Sequence, residues 1–172
     1  MQAALPDPSI PYQGLLYRAL NPIWAAKPLS GDGAKLHGGR FNPKGTPALY
    51  CALTVMGAVA EVNQIGRPFE PVILVSYGAD LADIFDATDA SALLQRKVAA
   101  KTLAADDWRL QMRRSGQSDG QSLAQNLITA GYAGMLVPSY AIGTTPAARN
   151  LVLWHWAVGL RLIDTEDRLT RK

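Results

Sequence analysis

The stretch KLHGGRFNPKGTPALYCA, residues 35–52, packs three glycines and two prolines around a single arginine, Arg40, and then runs into a short apolar segment, ALYCA. The two halves read differently. Residues 48–52 read as a short buried strand. Gly38 and Gly39 place unrestricted backbone immediately before Arg40, and this is the arrangement expected where a main chain must approach something closely. The strand turns straight into LTVMGAVAEVNQIG, where Thr54 can cap a helix. There Val55, Ala58, Val59 and Val62 recur at helical spacing, and Gly66 is a stop signal.

Working outward, residues 14–20 (GLLYRAL) predict a first strand that ends near Arg18. Residues 21–47 are rich in glycine, proline and asparagine and predict a long irregular connection, a kind of segment that is often functional. Residues 71–79 (PVILVSYGA) form a continuous apolar run with β-branched residues, as a buried central strand does. Residues 80–118 read as mostly helical. One helix there carries Asp106 and Asp107 early and Arg113 and Arg114 late, which suits the helix dipole and a solvated face. A further helix ends at Gly131, a strand follows and breaks at Pro138, and NLVLWHWAVG alternates as a strand. In that strand Val152, Trp154, Trp156 and Val158 share one face, and His155 is expected in or near the core. LRLID is expected as a last edge strand. The fold class is α+β, a single domain with a mixed or mostly antiparallel β-sheet and inserted helices. The expected limits are a loose N-terminal arm over 1–13, the domain over 14–163 and a tail over 164–172.

The bulk numbers fit one globular domain. Of 172 residues, 48% are hydrophobic and 18% charged, so the chain has the means to bury a core. A net charge of +3 permits an anionic ligand without pointing to nucleic acid. The one cysteine, Cys51, excludes an internal disulfide and fits a reducing compartment. No signal peptide or membrane span is read, and the expected location is cytoplasmic.

Several motifs fail. Gly31-Asp32-Gly33 lacks the third glycine of a dinucleotide fingerprint, and no strand directly precedes it. There is no P-loop, no nucleophile elbow and no histidine–cysteine spacing suited to a metal. What remains is a set of side chains, Arg18, Arg40, Tyr50, Glu61 and Ser139, with Asn42 and Asn150 behind them. An arginine fork matches phosphate oxygens, so Arg18 and Arg40 together would suit a diphosphate. Glu61 stands at the edge of an otherwise apolar helix stripe, where a carboxylate is costly unless partnered or used. Tyr50 could stack on a flat ring, and Ser139 follows a strand break where a hydroxyl can face a cleft.

LYRAL, HGGRFNPKGTPALYCA, AVAEV, VPSY and a later asparagine, in this order, resemble the RES domain family, named for its Arg, Glu and Ser. The resemblance covers roughly residues 14–160. It implies a fold like that of ADP-ribosyltransferase toxins and a role as the toxin of a bacterial toxin–antitoxin pair. It implies NAD⁺ as the substrate, no metal, and an Xre-like antitoxin that blocks the NAD⁺ cleft. Carried over by motif, the family's arginines fall on Arg18 and Arg40, its tyrosine on Tyr50, its glutamate on Glu61 and its serine on Ser139. On this reading Glu61, Arg40 and Ser139 are catalytic, and Arg18, Arg40, Tyr50, Asn42 and Asn150 bind NAD⁺. The chemistry expected is cleavage of the nicotinamide–ribose bond, with water, phosphate or a protein taking the ADP-ribose. No direct contact with nucleic acid or membrane is implied. A ribonuclease toxin and a non-catalytic anion-binding module are the alternatives.

Overall fold

The computed structural model describes residues 9–63 and 67–169. Six strands and six helices follow in the order β1 (Ile10–Leu20), α1 (Asp32–His37), β2 (Leu49–Ala52), α2 (Val55–Val62), β3 (Ile73–Asp86), α3 (Ala90–Gln95), α4 (Ala100–Leu103), α5 (Trp108–Ser115), α6 (Asp119–Thr129), β4 (Gly134–Pro138), β5 (Arg149–Leu153) and β6 (Leu160–Leu162). The strand pairings run in a closed circuit. β1 pairs with β2, β2 with β5, β5 with β4, β4 with β3, and β3 with β1 again. Only β3–β4 is parallel, and β6 adds to β3 as an antiparallel edge. The fold is the expected single α+β domain with a mixed sheet.

The long β1–β3 ladder anchors the circuit, from Leu20↔Ile73 to Ile10↔Ile84. One face of the strands fills the interior with Leu16, Leu20, Leu49, Cys51, Tyr77, Leu151 and Leu153, all at most 2% exposed. The other face of β4 and β5 packs Met135, Val137 and Val152 against α3, α4 and α6 through Leu93, Leu103, Leu123 and Leu127. β5 therefore lies between two cores, and its alternation of Leu151 and Leu153 against Val152 has a cause.

Four expectations change. β1 begins at Ile10, so residues 10–13 are paired strand and not a loose arm. β3 continues to Asp86, so residues 80–86 are not helical. The ladder slips by one residue between Ile10 and Tyr12, and Asp83 sits opposite that slip with φ 58. This bulge moves the buried positions from Leu81 to Ile84 and Phe85, a spacing that mimics a helix in the sequence. β5 stops at Leu153, because the backbone N–H groups of Trp154 and His155 both donate to Ala133 O, at 2.9 and 3.1 Å. His155 is consequently exposed rather than in the core, and Val158 is 91% exposed. Finally, residues 164–169 fold back, with Arg168 N and Leu169 N donating to the Asp164 carboxylate. Leu169 packs on the interior cluster.

The irregular connection over 21–47 contains α1 and a short 3-10 turn, Pro22–Trp24. On α2 the cap is as expected, Thr54 Oγ1 accepting from Gly57 N at 3.0 Å. The helix faces the sheet through Gly57 and Ala58, while Val55 and Val62 are 43% and 37% exposed. The expected valine stripe is thus out of phase with the buried face. Asn63 ends the helix, and the stop assigned to Gly66 lies outside the described residues. Among the described residues no helix is long and apolar enough to cross a membrane.

Burial pushes the Cys51 thiol up to about 12. Because the thiolate is the reactive form, we expect no labelling of Cys51 by a maleimide at pH 8 in the folded protein and full labelling in denaturant. Rapid labelling of the folded chain would contradict the interior placement of β2.

Candidate active site

The geometry of the site begins with the backbone of residues 38–42, which is pinned on every side. Gln121 Nε2, fully buried on α6, donates to Gly39 O at 2.8 Å and Asn42 O at 3.1 Å. Trp154 Nε1 donates to Phe41 O at 2.9 Å. Phe41 N donates to the Tyr50 hydroxyl at 3.0 Å, and that hydroxyl donates to Asn42 Oδ1 at 2.6 Å. Asn42 Nδ2 in turn donates to Ala34 O and Thr46 O, both at 2.9 Å. Buried polar groups need partners, and here each one named has them. Gln121 is also half of a capping box with Ser118, which orients α6 against this loop.

The glycines serve this knot. A Cβ on Gly39 would stand 2.5 Å from the Tyr50 hydroxyl and 2.6 Å from Asn42 Oδ1, and Gly38 holds φ 73. The close approach is internal, to Tyr50 and Asn42, and not to a ligand. Asn42, expected to bind NAD⁺, does not reach the cleft. It is fully buried and positions Tyr50 instead.

Arg40 leaves the knot toward a cleft of about 790 Å³. Its Nη1 donates to Leu103 O at 3.1 Å and Ala105 O at 2.8 Å, and its guanidinium lies 4.8 Å from the Tyr140 ring and 6.0 Å from the Trp108 ring. Burial lowers its pKa from the ordinary value, and the guanidinium stays charged all the same. The same cleft is lined by Tyr50, Glu61, Asn150, Arg67 and Arg109. A smaller cavity of about 260 Å³ holds Arg18, whose Nη1 lies 3.5 Å from the carbonyl oxygens of Pro28 and Ser30. Tyr50, Glu61 and Asn150 line both cavities. Arg40 lines the larger cavity and Arg18 the smaller, and Glu61 lines both.

Three elements meet at Glu61. The carboxylate comes from α2. Ser139, just beyond β4, donates Oγ–H to Oε1 at 2.9 Å, and Asn150, on β5, donates Nδ2–H to the same oxygen at 2.5 Å. Pairing of β5 with both β2 and β4 sets Asn150 opposite Ala52 and Val137, and so brings these groups together. Asn150 Oδ1 is buried and has no hydrogen-bond partner among the described residues. Burial raises the pKa of Tyr50, so its hydroxyl stays protonated and continues to donate to Asn42. Among the described residues no group of three or more His, Cys, Asp or Glu could hold a metal ion.

Sequence reading missed Gln121, Trp108, Arg109 and Tyr140. Gln121 had a visible signal, the Ser118-x-x-Gln121 capping box. The other three lie on elements whose approach to the cleft no local pattern reveals.

A closed mixed sheet carrying a hydrogen-bonded glutamate that lines two cavities defines the class, and comparison with known proteins defines the family. The RES domain model matches residues 15–170, and the chain belongs to that family. It is similar to the protein Toxin Res of Photorhabdus laumondii subsp. laumondii, 46% identical over 48 residues, which are 28% of this chain and 31% of that protein. The match thus spans about a third of that relative's length. The fold is also that of a chain in the crystal structure of the M. tuberculosis MbcT–MbcA toxin–antitoxin complex. The TM-score there is 0.66 at 24% identity, covering 91% of this chain and 84% of that one.

We expect Gly39→Ala to lower stability by about 1–3 kcal/mol, since overpacking must displace Tyr50 or Asn42, measured by urea unfolding. Unchanged stability would mean that the knot is not the constraint described.

Proposed function

We propose that this RES-domain protein is the toxin of a bacterial toxin–antitoxin pair and that it cleaves the nicotinamide–ribose bond of NAD⁺. One observation carries the reading: a carboxylate held by two donors, lining two cavities that each carry arginine. Breaking an N-glycosidic bond develops positive charge on the ribose. A fixed carboxylate stabilises that charge, and because it is already oriented it needs no reorganisation during the reaction. Ser139 and Asn150 both occupy Oε1, so Oε2 is the oxygen that faces the ribose. Nicotinamide leaves as a neutral molecule, and the ring of Tyr50 orients it. The arginines hold the phosphates and with them the ribose. Water, phosphate or a protein side chain then takes the ADP-ribose.

The toxin role is supported by the named relative and by the toxin–antitoxin complex that shares the fold. The partner proposed with it, on the family resemblance, is an Xre-like antitoxin that blocks the NAD⁺ cleft.

The test is expression in bacterial cells with NAD⁺ and total RNA followed over time. We expect NAD⁺ to fall first and growth to stop. Glu61→Gln keeps the shape of the side chain and removes its charge, so it should cut NAD⁺ loss by about 10²–10³-fold, as removal of a transition-state stabiliser does. Loss of RNA with NAD⁺ intact would favour a ribonuclease instead. NAD⁺ loss undiminished in a folded Glu61→Gln protein would remove Glu61 from the mechanism.

A further inference from the structure

Arg18 and Arg40 line different cavities, which share Tyr50, Glu61 and Asn150. The larger cleft has its own second cation. Arg109, in the first turn of α5, lies with its guanidinium 4.3 Å from the centre of the Trp108 ring. Arg40 approaches the same ring at 6.0 Å. Trp108 is buried and held, while Arg109 is exposed to the cleft.

Asp106 and Glu61 both act on Arg40 through their charge. Asp106 reaches Arg40 Nη2 only at 4.0 Å and is fully solvated. Asp107 accepts instead from Gln111 Nε2 at 2.8 Å. Among the described residues Glu61 is the one carboxylate in the cleft lining, against Arg40, Arg67 and Arg109. Burial lowers the pKa of Arg40 and the charge of Arg109 lowers it further, while Tyr140, Asp106 and Glu61 act in the opposite direction. An arginine stacked on an aromatic face keeps its edge N–H groups free for oxygen acceptors. Arg40 has Nη1 committed to two carbonyls, which fixes its plane and turns Nη2 outward.

We propose that Arg109, stacked on Trp108, forms with Arg40 a phosphate-binding subsite in the larger cleft. Its ligand is a phosphate group, and two sources share that chemistry: the diphosphate of a dinucleotide substrate, or inorganic phosphate as the acceptor. The choice between these sources rests on the NAD⁺ reading, but the subsite itself does not.

The experiment uses the full chain carrying Glu61→Gln, so that nothing is turned over. Calorimetry with pyrophosphate and with inorganic phosphate compares this protein with versions that also carry Arg109→Ala, Arg109→Lys or Arg114→Ala. Arg109→Ala should weaken the bound anion by about ten-fold, the loss of one charge-assisted contact, and Arg109→Lys by less. Arg114→Ala, on another face of the same helix and outside the cleft lining, should change nothing. Equal binding by the parent and Arg109→Ala, with circular dichroism unchanged, would overturn the proposal. Turnover by the otherwise unaltered chain separates the sources. A KM for NAD⁺ raised by Arg109→Ala at similar kcat identifies the diphosphate, and a raised KM for phosphate alone identifies the acceptor. If anion binding depends on Arg109 while the unaltered chain leaves NAD⁺ intact, the subsite stands and the NAD⁺ reading falls.

Discussion

The hydrogen-bonded knot that joins Gly39, Phe41, Asn42, Tyr50, Gln121 and Trp154 is the constraint on which the rest of the site depends. A loop cannot enter a protein interior unless its amides and carbonyls find partners. Here four side chains, from α6, β2, the end of β5 and the loop itself, supply them. The outcome is a rigid base from which Arg40 projects into the larger cleft and against which the Tyr50 ring is held. Gly38 and Gly39 are needed because the loop folds onto itself, and the arginine inherits its direction from that packing.

The second half of the site comes from the closed circuit of strands. β5 is bonded to β2 on one side and β4 on the other. That pairing places Asn150 and the residue just past β4, Ser139, beside the helix that follows β2. Three segments far apart in the chain then meet at one carboxylate oxygen. Interior packing of Leu151 and Leu153 holds β5 in register, since a slip of one residue would turn Asn150 away from Glu61. Stability and site geometry are therefore linked through the same strand.

Much of this was legible in the sequence, and the parts that were not have physical reasons. The strand–cap–helix passage from Leu49 to Val62 carried its own local signals, an apolar run and a capping threonine. The family resemblance pointed to Glu61, Ser139 and Asn150, and the structure brings them within hydrogen-bonding distance. The bulge at Asp83 misled because it recast a strand as Leu81, Ile84 and Phe85, a helical spacing. His155 misled because the alternation of residues 151–158 continues past the point where Ala133 O captures two amides and ends the strand. Asn42 looked like a ligand contact because a buried, fully bonded asparagine and a cleft asparagine have the same sequence signature. Arg109 looked like part of a solvated helix face, and only the position of α5 beside the cleft distinguishes it from Arg113 and Arg114.

The measurement that tests the central claim most directly is the fate of NAD⁺ incubated with the purified, antitoxin-free protein, its products separated with and without phosphate. The account predicts release of nicotinamide equal to the NAD⁺ consumed, with the co-product naming the acceptor: ADP-ribose for water, its 1-phosphate for phosphate, or a modified protein when cell lysate is added. A folded protein that leaves NAD⁺ intact in buffer, in phosphate and in lysate would contradict it.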